Sequence, residues 1–335
     1  MNIAILGGAG YIGSHAVKFL IERGHDVTCV DNLHNGHRLA VHPKAHFFVT
    51  DISHTFQLAE IFQRKKIEAV MHFAASSYVG ESVVDPRKYY RNNVAGTISV
   101  LDAMAAAGVK KLVFSSTCAT YGVPEVVPIV EELVQRPINA YGASKLMIER
   151  MLVDVARAEA IAFAAPRYFN VAGSALDGTI GEDHRPETHL IPILLQAAAG
   201  RRDHVKLYGT DYKTKDGTCI RDYIHVWDLV EAHLVLLNAL DKLRPGKKGG
   251  GGGMFYNLGV GRGYSNREII EAVKRVTGKN IVVKETKRRP GDPPELWACP
   301  DKIKQELGWS AKITNLDEIV RSAWRWFQAR PNGYG

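Results

Sequence analysis

The chain has 335 residues, of which 46% are hydrophobic and 23% are charged, proportions that exclude intrinsic disorder, a collagen and a coiled coil. The net charge of +8 permits a nucleic-acid partner, but the basic residues are scattered and not interleaved with aromatic ones, so we expect no nucleic-acid binding. At roughly 100–200 residues per domain, the length predicts about two domains.

Short apolar runs alternate with helical patterns in the first half of the chain. The predicted strands cover 2–6, 26–30, 46–49, 69–73, 111–115 and 160–167. The predicted helices cover 11–23, 57–64, 86–107 and 141–159. Parallel strands need crossover helices, and right-handed crossovers place helices on both faces of the sheet. We therefore predict an α/β fold with a doubly wound, mainly parallel sheet of seven strands.

The sequence pattern changes after residue 168, where loops become longer and elements shorter. Loops rich in Gly, Pro, Asp and His fill 172–189 and 208–222, and helices are predicted over 265–277 and 316–330. We expect the first domain to span 1–168. A smaller C-terminal α/β lobe would span 169–335, with some of its segments returning to the first domain.

Two local features of the second half of the chain allow further structural predictions. In the last predicted helix, Trp324 and Phe327 share a face, which makes them candidate core anchors. The stretch 244–253 ends in five consecutive glycines and favours a flexible, exposed loop. Whether the glycine run, 249–253, is native is left open.

The sequence gives no sign of a membrane segment, a signal peptide or a metal site. No apolar run approaches the roughly 18 residues of a transmembrane helix, and the N-terminus leads straight into a predicted strand. The four cysteines are far apart and form no C-x-x-C pair, which argues against zinc and disulfides: Cys29, Cys118, Cys219 and Cys299. We expect a cytoplasmic enzyme with neither membrane contact nor a metal.

A glycine-rich turn follows the first predicted strand. Gly7, Gly10 and Gly13 have the spacing G-x-x-G-x-x-G at the first strand-to-helix junction, where backbone and helix N-terminus receive a dinucleotide pyrophosphate. Asp31 ends the second strand, 18 residues after Gly13, where an acid accepts the ribose hydroxyls. A carboxylate repels a 2′-phosphate, so the sequence predicts a Rossmann-like domain that binds NAD rather than NADP.

The second chemical signal is Tyr141 with Lys145, four residues apart on one helical face. A neighbouring ammonium favours the phenolate, so this tyrosine is a candidate general base. Thr117 ends a predicted strand upstream, and strand carboxyl ends are where open α/β sheets bind ligands. Together these residues predict oxidation of a substrate hydroxyl by NAD.

At this point the chain resembles the extended short-chain dehydrogenase/reductases, and within them the UDP-glucose (UDP-galactose) 4-epimerase family. The resemblance runs nearly end to end. It is carried by GGAGYIGSH (7–15), DN (31–32), DI (51–52), HFAA (72–75), VGES (79–82), NNVAGT (92–97), SSTCATYG (115–122), YGASK (141–145), RYFNVAG (167–173), DGTCIRDYIHV (216–226), YNLGVG (256–261) and RRPGD (288–292). Plant-type UDP-arabinose/xylose 4-epimerases share several of these motifs, so the sugar is left open.

The resemblance implies an NAD-binding first domain and a mainly UDP-sugar-binding second lobe. The implied NAD contacts are Gly7, Gly10, Tyr11, Ile12, Gly13, Asp31, Asn32, Asp51, Ile52, Phe73, Ala74, Ala75, Asn93, Ser115, Tyr141, Lys145 and Tyr168. The implied UDP-sugar contacts are Ser77, Thr117, Tyr141, Asn170, His189, Leu190, Tyr208, Arg221, Arg289, Asp292 and Leu296. The implied catalytic residues are Thr117, Tyr141 and Lys145, with Tyr141 taking the proton of the sugar 4-hydroxyl while NAD holds the hydride.

Three positions depart from the family pattern. Ser77 stands where some bacterial members have Lys, and His189 stands where they have Asn. Leu296 falls where the family places a residue that limits the room around the sugar, either a bulky Tyr or a small Cys. Acceptance of UDP-N-acetylhexosamines and of UDP-pentoses is therefore left open beside that of UDP-glucose and UDP-galactose.

The residues around Thr117 and Tyr141 disfavour two other functions. Sugar-nucleotide dehydratases of the superfamily need an Asp-Glu pair after the threonine, but Cys118 and Ala119 follow Thr117 here, and related decarboxylases are disfavoured by the same missing acid. A catalytically silent dinucleotide sensor would not need the intact set of Thr117, Tyr141 and Lys145. The resemblance also implies a homodimer formed through the helices around 87–107 and 144–158.

Overall fold

The computed structural model describes residues 1–247, 249–289 and 292–335. The strands are β1 (Asn2–Leu6), β2 (Asp26–Asp31), β3 (His46–Val49), β4 (Ala69–His72), β5 (Lys111–Phe114), β6 (Ser116–Thr117), β7 (Ala162–Tyr168), β8 (Asn170–Ala172), β9 (Val205–Tyr208), β10 (Ile220–His225), β11 (Gly252–Leu258), β12 (Gly263–Ser265), β13 (Val283–Thr286) and β14 (Glu295–Leu296). The helices are α1 (Tyr11–Glu22), α2 (Thr55–Arg64), α3 (Val79–Val84), α4 (Pro86–Tyr89), α5 (Gly96–Ala107), α6 (Ala140–Glu159), α7 (Leu190–Ala198), α8 (Val226–Ala239), α9 (Asn266–Thr277), α10 (Asp301–Leu307) and α11 (Leu316–Ala329).

The main sheet is parallel, in the order β3-β2-β1-β4-β5-β7-β11, with the short strand β6 also paired to β7. Its central strands are buried on both faces, because helices cover both sides; β4 and β7 are almost entirely apolar for this reason. This arrangement confirms the predicted Rossmann-like α/β fold. The chain order reverses beside β1, so the carboxyl ends of β1, β4 and β5 face one crevice.

The predicted long helix over 86–107 is interrupted. It consists of α4, a π-helical segment (Tyr90–Ala95) and α5. The wider turn of a π segment is frequent near functional sites, because it redirects a side chain that a regular helix would place elsewhere. Here it carries the buried Asn93.

The loop predicted over 244–253 is shorter in the structure, because its last two glycines belong to a strand. Residues 249–251 lie outside the helices and strands, and Gly249 is exposed. Gly252 and Gly253 begin β11, the edge strand that pairs with β7. A Cβ on Gly253 would lie 2.2 Å from a ring carbon of Phe163, so the strand needs a residue without a side chain there. Gly251 has φ +90°, and its Cβ would meet the backbone of Ala160. Lys248, within the predicted loop, lies outside the described residues.

The second lobe is built on two small sheets. In the first, β10 pairs with β8, β12 and β14, and in the second β9 pairs with β13. Its core lies between these sheets and α7, α9 and α11. The face of α11 that enters this core carries Ile319, Val320, Ala323, Trp326 and Phe327, which follow the three- and four-residue spacing of a helix.

Of the two core anchors predicted in the last helix, one is confirmed and one is wrong. Phe327 is buried as expected, but Trp326, at 2% exposure, takes the place predicted for Trp324. Trp324 is only partly buried and packs against the edge of the same cluster. It thus lies at one edge of the buried face of α11, whereas Trp326 lies within that face.

One helix from the second half of the chain returns to the first domain. Leu229 and Leu236 of α8 share a hydrophobic cluster with Ile3 and Ile5 of β1. The edge strand β11 returns to the main sheet in the same way. Among the described residues, the helices are too short or too polar to cross a membrane.

Candidate active site

The glycine turn between β1 and α1 fits a dinucleotide pyrophosphate. A Cβ on Gly7 would lie 2.6 Å from the backbone nitrogen of Ala74, and one on Gly13 would lie 2.0 Å from the carbonyl oxygen of Gly7. These two glycines therefore allow close packing within the protein. A Cβ on Gly10 would meet only the Gly7 oxygen, at 3.4 Å, which leaves open space there. The N-terminus of α1 has no side-chain cap, so its amide groups are free for an anion.

Asp31 is held rigidly at the end of β2. It is buried, one carboxylate oxygen accepts the Ala9 amide at 2.9 Å, and the other accepts the Leu33 amide at 2.8 Å. Burial raises the pKa of its carboxyl group, and these backbone donors oppose the shift. Next to it, the Asn32 amide donates to Asp51 at 2.7 Å. The two acids predicted for the adenosine end of NAD thus lie at adjoining strand ends, and Ile52 is buried beside them.

The side-chain amide and oxygen of Asn93 are both hydrogen-bonded to other groups of the protein. Its amide donates to the carbonyl of Ser76 and to the hydroxyl of Ser144, both at 3.0 Å, and its oxygen accepts the Ser76 amide at 2.8 Å. It therefore holds the loop after β4, which carries Phe73, Ala74 and Ala75, against α6. The same loop leaves Ser77 exposed.

Tyr141 and Thr117 are brought together by a close approach of backbones. The N-terminus of α6 is capped by Asn139, whose side chain accepts the Gly142 amide at 2.9 Å. A Cβ on Gly142 would lie 2.4 Å from the carbonyl oxygen of Ala119, in the turn that follows β6. Only a glycine lets α6 start this near the turn, and the Thr117 hydroxyl consequently faces that of Tyr141.

Lys145, Ser115 and Tyr168 complete this cluster. The Lys145 ammonium donates to the carbonyl oxygen of Ser115 at 2.7 Å, and the hydroxyls of Ser115 and Tyr168 are hydrogen-bonded at 2.6 Å. Five of the residues predicted for chemistry or cofactor contact thus come from β5, β6, α6 and β7 to one place. They lie at the carboxyl ends of the parallel strands, where open α/β sheets bind ligands.

The pKa values of Tyr141 and Lys145 are shifted mainly by burial, which the sequence did not predict. Burial raises the pKa of Tyr141 far above its ordinary value, and the Thr117 hydroxyl opposes that shift. Burial lowers the pKa of Lys145 to about 7, although Glu149 opposes it. Burial is the largest influence on the pKa of both groups, and the Lys145 ammonium is directed at the Ser115 carbonyl. That Lys145 favours the phenolate of Tyr141 stays a prediction.

A buried ion pair beneath this cluster was missed in the sequence. Arg167 donates to Glu149 at 2.7 Å and to the Tyr121 hydroxyl at 2.8 Å. The Ser116 hydroxyl donates to Glu149 at 2.5 Å. Glu149 lies one helical turn after Lys145, which is the signal that could have identified it. The pair joins α6 to β7 directly under the candidate catalytic side chains.

The predicted UDP contacts of the second lobe fall into two groups. Arg221 on β10 lies 3.6 Å from Asp292 and pairs in register with Leu296 of β14. The exposed guanidinium of Arg289 lies 4.6 Å from the ring centre of Tyr208. Residues 290 and 291, between these basic and acidic groups, lie outside the described residues.

Leu296, Asn170 and Leu190 take three different positions. Leu296 is buried in a cluster with Tyr121 and Phe169. Phe169 directly follows Tyr168, the last residue of β7. Asn170 begins β8, and Leu190 begins α7. Leu296 therefore packs against residues on the β6–β7 side of the site.

His189 is engaged by partners that the sequence did not indicate. Its Nδ1 lies 2.8 Å from Glu182 and 3.0 Å from Glu187. Burial disfavours a charge on this ring, but the two carboxylates outweigh burial and raise the pKa of His189 to about 10. The ring is therefore oriented by the 182–187 loop rather than free to turn.

A dinucleotide-type glycine turn and a Tyr-x-x-x-Lys helix on a parallel sheet define an enzyme that performs nicotinamide chemistry on a hydroxyl group. The model of the NAD dependent epimerase/dehydratase family matches residues 3–259. The chain is 49% identical to the UDP-glucose 4-epimerase of Lacticaseibacillus casei, over all of this chain and 99% of that one. It is 45% identical to UDP-arabinose 4-epimerase 1 of Arabidopsis thaliana, over all of this chain and 81% of that one.

Among solved structures, the UDP-glucose 4-epimerase of Brucella ovis in complex with NAD superposes with a TM-score of 0.92 at 48% identity, covering 97% of this chain and 98% of that one. This chain belongs to the NAD dependent epimerase/dehydratase family. The resemblance to the UDP-glucose 4-epimerases and the prediction of NAD are thereby confirmed.

Proposed function

We propose that this protein interconverts UDP-glucose and UDP-galactose by inverting C4 through a transient 4-keto sugar, with the hydride kept on tightly bound NAD. The observation that carries the proposal is the convergence of Thr117, Tyr141 and Lys145 beside the glycine turn. The UDP-glucose 4-epimerase of L. casei, 49% identical over its whole length, supports the same activity.

Thr117, Tyr141 and Lys145 each have a defined role in the proposed reaction. Tyr141 takes the proton of the sugar 4-hydroxyl, and the Thr117 hydroxyl that faces it orients the reacting oxygen. NAD, held by the glycine turn and Asp31, supplies a hydride acceptor and a positive ring whose charge favours the phenolate. That charge matters because burial alone keeps Tyr141 protonated at neutral pH. Lys145, hydrogen-bonded to Ser115, holds the NAD ribose beside the tyrosine.

The second lobe, over 169–335, binds the UDP part of the substrate, and 1–168 binds NAD. Arg221 and Arg289 contact the diphosphate, since a guanidinium fork matches phosphate oxygens. Asp292 accepts the uridine ribose hydroxyls. Burial of UDP between the lobes leaves the sugar facing Tyr141, with Leu296 limiting the space around it.

A second candidate is 4-epimerisation of another UDP-sugar. The Arabidopsis thaliana relative, a UDP-arabinose 4-epimerase at 45% identity, supports a UDP-pentose. Leu296 is intermediate in size between the Tyr and Cys that the family uses at this position, which supports partial room for UDP-N-acetylhexosamines. The two candidates share the mechanism and differ only in the sugar.

The test is an NMR assay of purified protein with UDP-galactose and no added NAD, repeated with UDP-xylose and UDP-N-acetylgalactosamine. We expect UDP-glucose to form, and Tyr141→Phe to abolish its formation. The matched control is Tyr256→Phe, which removes a tyrosine hydroxyl that donates to Glu306 at 2.6 Å, outside the site. Conversion of only another sugar would favour the second candidate. No conversion of any sugar, even with NAD supplied, would contradict both.

The enzyme is also proposed to be a cytoplasmic homodimer formed through α5 and α6. Each of these helices exposes a large apolar side chain, Ile98 at 45% and Met147 at 49%. Light scattering after size exclusion should give a dimer, and Met147→Glu should give a monomer. Val282→Glu, at an equally exposed valine outside both helices, is the control and should leave the mass unchanged. A monomeric parent protein would contradict this part of the proposal.

A further inference from the structure

We propose that Glu182, His184, Glu187 and His189 form a binding site for one first-row transition cation such as Zn²⁺. The four side chains belong to the loop that precedes α7 and each offers one ligand atom. These atoms all lie within 4.8 Å of one another. The proposal does not depend on which sugar the enzyme accepts.

The geometry has the size that a tetrahedral ion requires. Bonds of about 2.0–2.2 Å to nitrogen and oxygen place neighbouring ligand atoms roughly 3.3–3.6 Å apart. In this cluster, His189 Nδ1 lies 2.8 Å from Glu182 and 3.0 Å from Glu187. His184 Nδ1 lies 3.2 Å from Glu182 and 3.7 Å from Glu187. The two His184 distances bracket the range for an ion, whereas the two His189 distances are shorter and would have to lengthen by a few tenths of an ångström to admit one.

An unpartnered nitrogen points into this cluster. His184 Nδ1 is buried and has no hydrogen-bond partner, although both carboxylates are near it. The two carboxylates are themselves buried, with side-chain exposures of 6% for Glu182 and 2% for Glu187. Buried carboxylates require a counter-charge or a metal. Glu187 Oε1 also accepts the backbone amides of Thr188 and His189, at 2.7 and 2.8 Å, which fixes this carboxylate in place. A cation among the four groups would supply the remaining charge and a partner for His184 Nδ1.

The donor set indicates the class of ion. Calcium and magnesium prefer sites built of oxygen atoms alone, whereas imidazole nitrogens suit zinc, manganese, iron and cobalt. An ion that binds here displaces the imidazole protons, since a ligating histidine must be neutral. The two carboxylates then carry a charge of −2, which one divalent ion cancels. The side chain of His189 is 44% exposed, so an ion can reach the cluster from solvent.

The location indicates a structural role for the ion. The ring of Tyr11, from the helix that follows the glycine turn, lies 6.3 Å from the ring of His184, and Tyr78 lies 6.1 Å from it on the loop that follows β4. Bound metal would fix the 182–189 segment where it meets these two elements of the first domain. The absence of cysteines from this cluster explains why cysteine spacing gave no indication of it.

The experiment uses the intact NAD-containing protein, treated with a chelator and then titrated with Co²⁺ and Zn²⁺. We expect one equivalent per chain, with a visible ligand-field absorption for Co²⁺ that Zn²⁺ abolishes. Glu182→Gln and His184→Gln should each raise the Zn²⁺ dissociation constant by about 100-fold or more, since even outer-shell changes cost about 10–100-fold. The control is His46→Gln, because His46 faces a single carboxylate, that of Asp26 at 3.2 Å.

Circular dichroism establishes that each variant is folded. If a variant does not fold, anomalous scattering from a Zn²⁺-soaked crystal of the parent protein decides, with a peak expected among the four side chains. Substoichiometric binding, binding that the Glu182 and His184 variants leave unchanged, or a crystal without a peak there would overturn the proposal. The cluster would then consist of two imidazolium–carboxylate pairs.

Discussion

The two sides of the candidate site are built differently. Beneath Tyr141, the side chains are buried and each has several partners, as with Glu149, which accepts from both Ser116 and Arg167. On the recognition side, Arg289 is exposed and its guanidinium lies over the ring of Tyr208. The chemical side is thus held by several hydrogen bonds, whereas this arginine is held by one ring contact. Precise geometry is needed where a proton and a hydride move, and less is needed where a diphosphate is held.

The largest effect is expected from Glu149→Gln. This change leaves Arg167 buried without its counter-charge, which costs about 3–5 kcal/mol of the free energy of unfolding. Urea denaturation measures it. The matched control is Glu22→Gln, at an exposed carboxylate that lies 2.9 Å from Lys18 and contributes at most about 1 kcal/mol. Equal losses for the two variants would mean that the network under Tyr141 has no special rigidity.

The second prediction concerns Lys145, whose pKa falls from 10.5 in the unfolded chain to about 7 in the folded one. Between these values the unfolded chain binds more protons, so the stability of the NAD-free protein gains roughly 1.4 kcal/mol per pH unit from this group as pH rises. Lys145→Met removes that gain. Thermal unfolding of both proteins across this pH window measures the difference, which should grow with pH in favour of the parent protein. A constant difference would contradict the lowered pKa.

The third prediction tests the recognition side. Arg289→Ala should raise KM for UDP-galactose by about tenfold, equivalent to about 1.4 kcal/mol, and leave kcat nearly unchanged. The reason is that an exposed arginine contributes to binding but not to the reacting centre. Arg262→Ala is the control, since Arg262 also lies over a tyrosine, Tyr264, at 4.8 Å. A fall in kcat with an unchanged KM would place Arg289 on the chemical side instead.

The smallest effect is expected from Leu296→Ala. The added room should raise the kcat/KM for UDP-N-acetylgalactosamine relative to UDP-galactose by roughly tenfold or less, the usual scale for a change of apolar volume. Steady-state rates with the two substrates measure this ratio. Leu316→Ala, at a leucine of equal burial in the core of the second lobe, should leave the ratio unchanged. No change for Leu296→Ala would remove this side chain from sugar selection.

The sequence predicted elements whose signals are local. The strand over 46–49 and the helix over 265–277 agree with the structure to within a residue, because side-chain periodicity and capping fix both. The glycine turn and Tyr141 with Lys145 were found for the same reason, since each motif is a short stretch of chain.

What the sequence did not predict depends on contacts between distant segments. Glu149 and Arg167 are 18 residues apart on different elements. Glu149 lies in none of the motifs, and the motif that begins at Arg167 does not indicate its partner. The last two glycines of the run joined β11 because β7 offered an open edge, and the ring of Phe163 left no room for a side chain at Gly253. The place of Trp326 is the exception, because it depends on a local spacing: Trp326 lies seven residues after Ile319 and three after Ala323, which are both buried.

The central claim, that a hydride leaves C4 and returns to the same carbon without exchange, is tested most directly with UDP-galactose deuterated at C4. After conversion in ordinary water with no added NAD, NMR of the UDP-glucose formed should show deuterium still at C4. Hydrogen from the solvent at that carbon would contradict a hydride held within the enzyme and would indicate proton exchange at C4 instead.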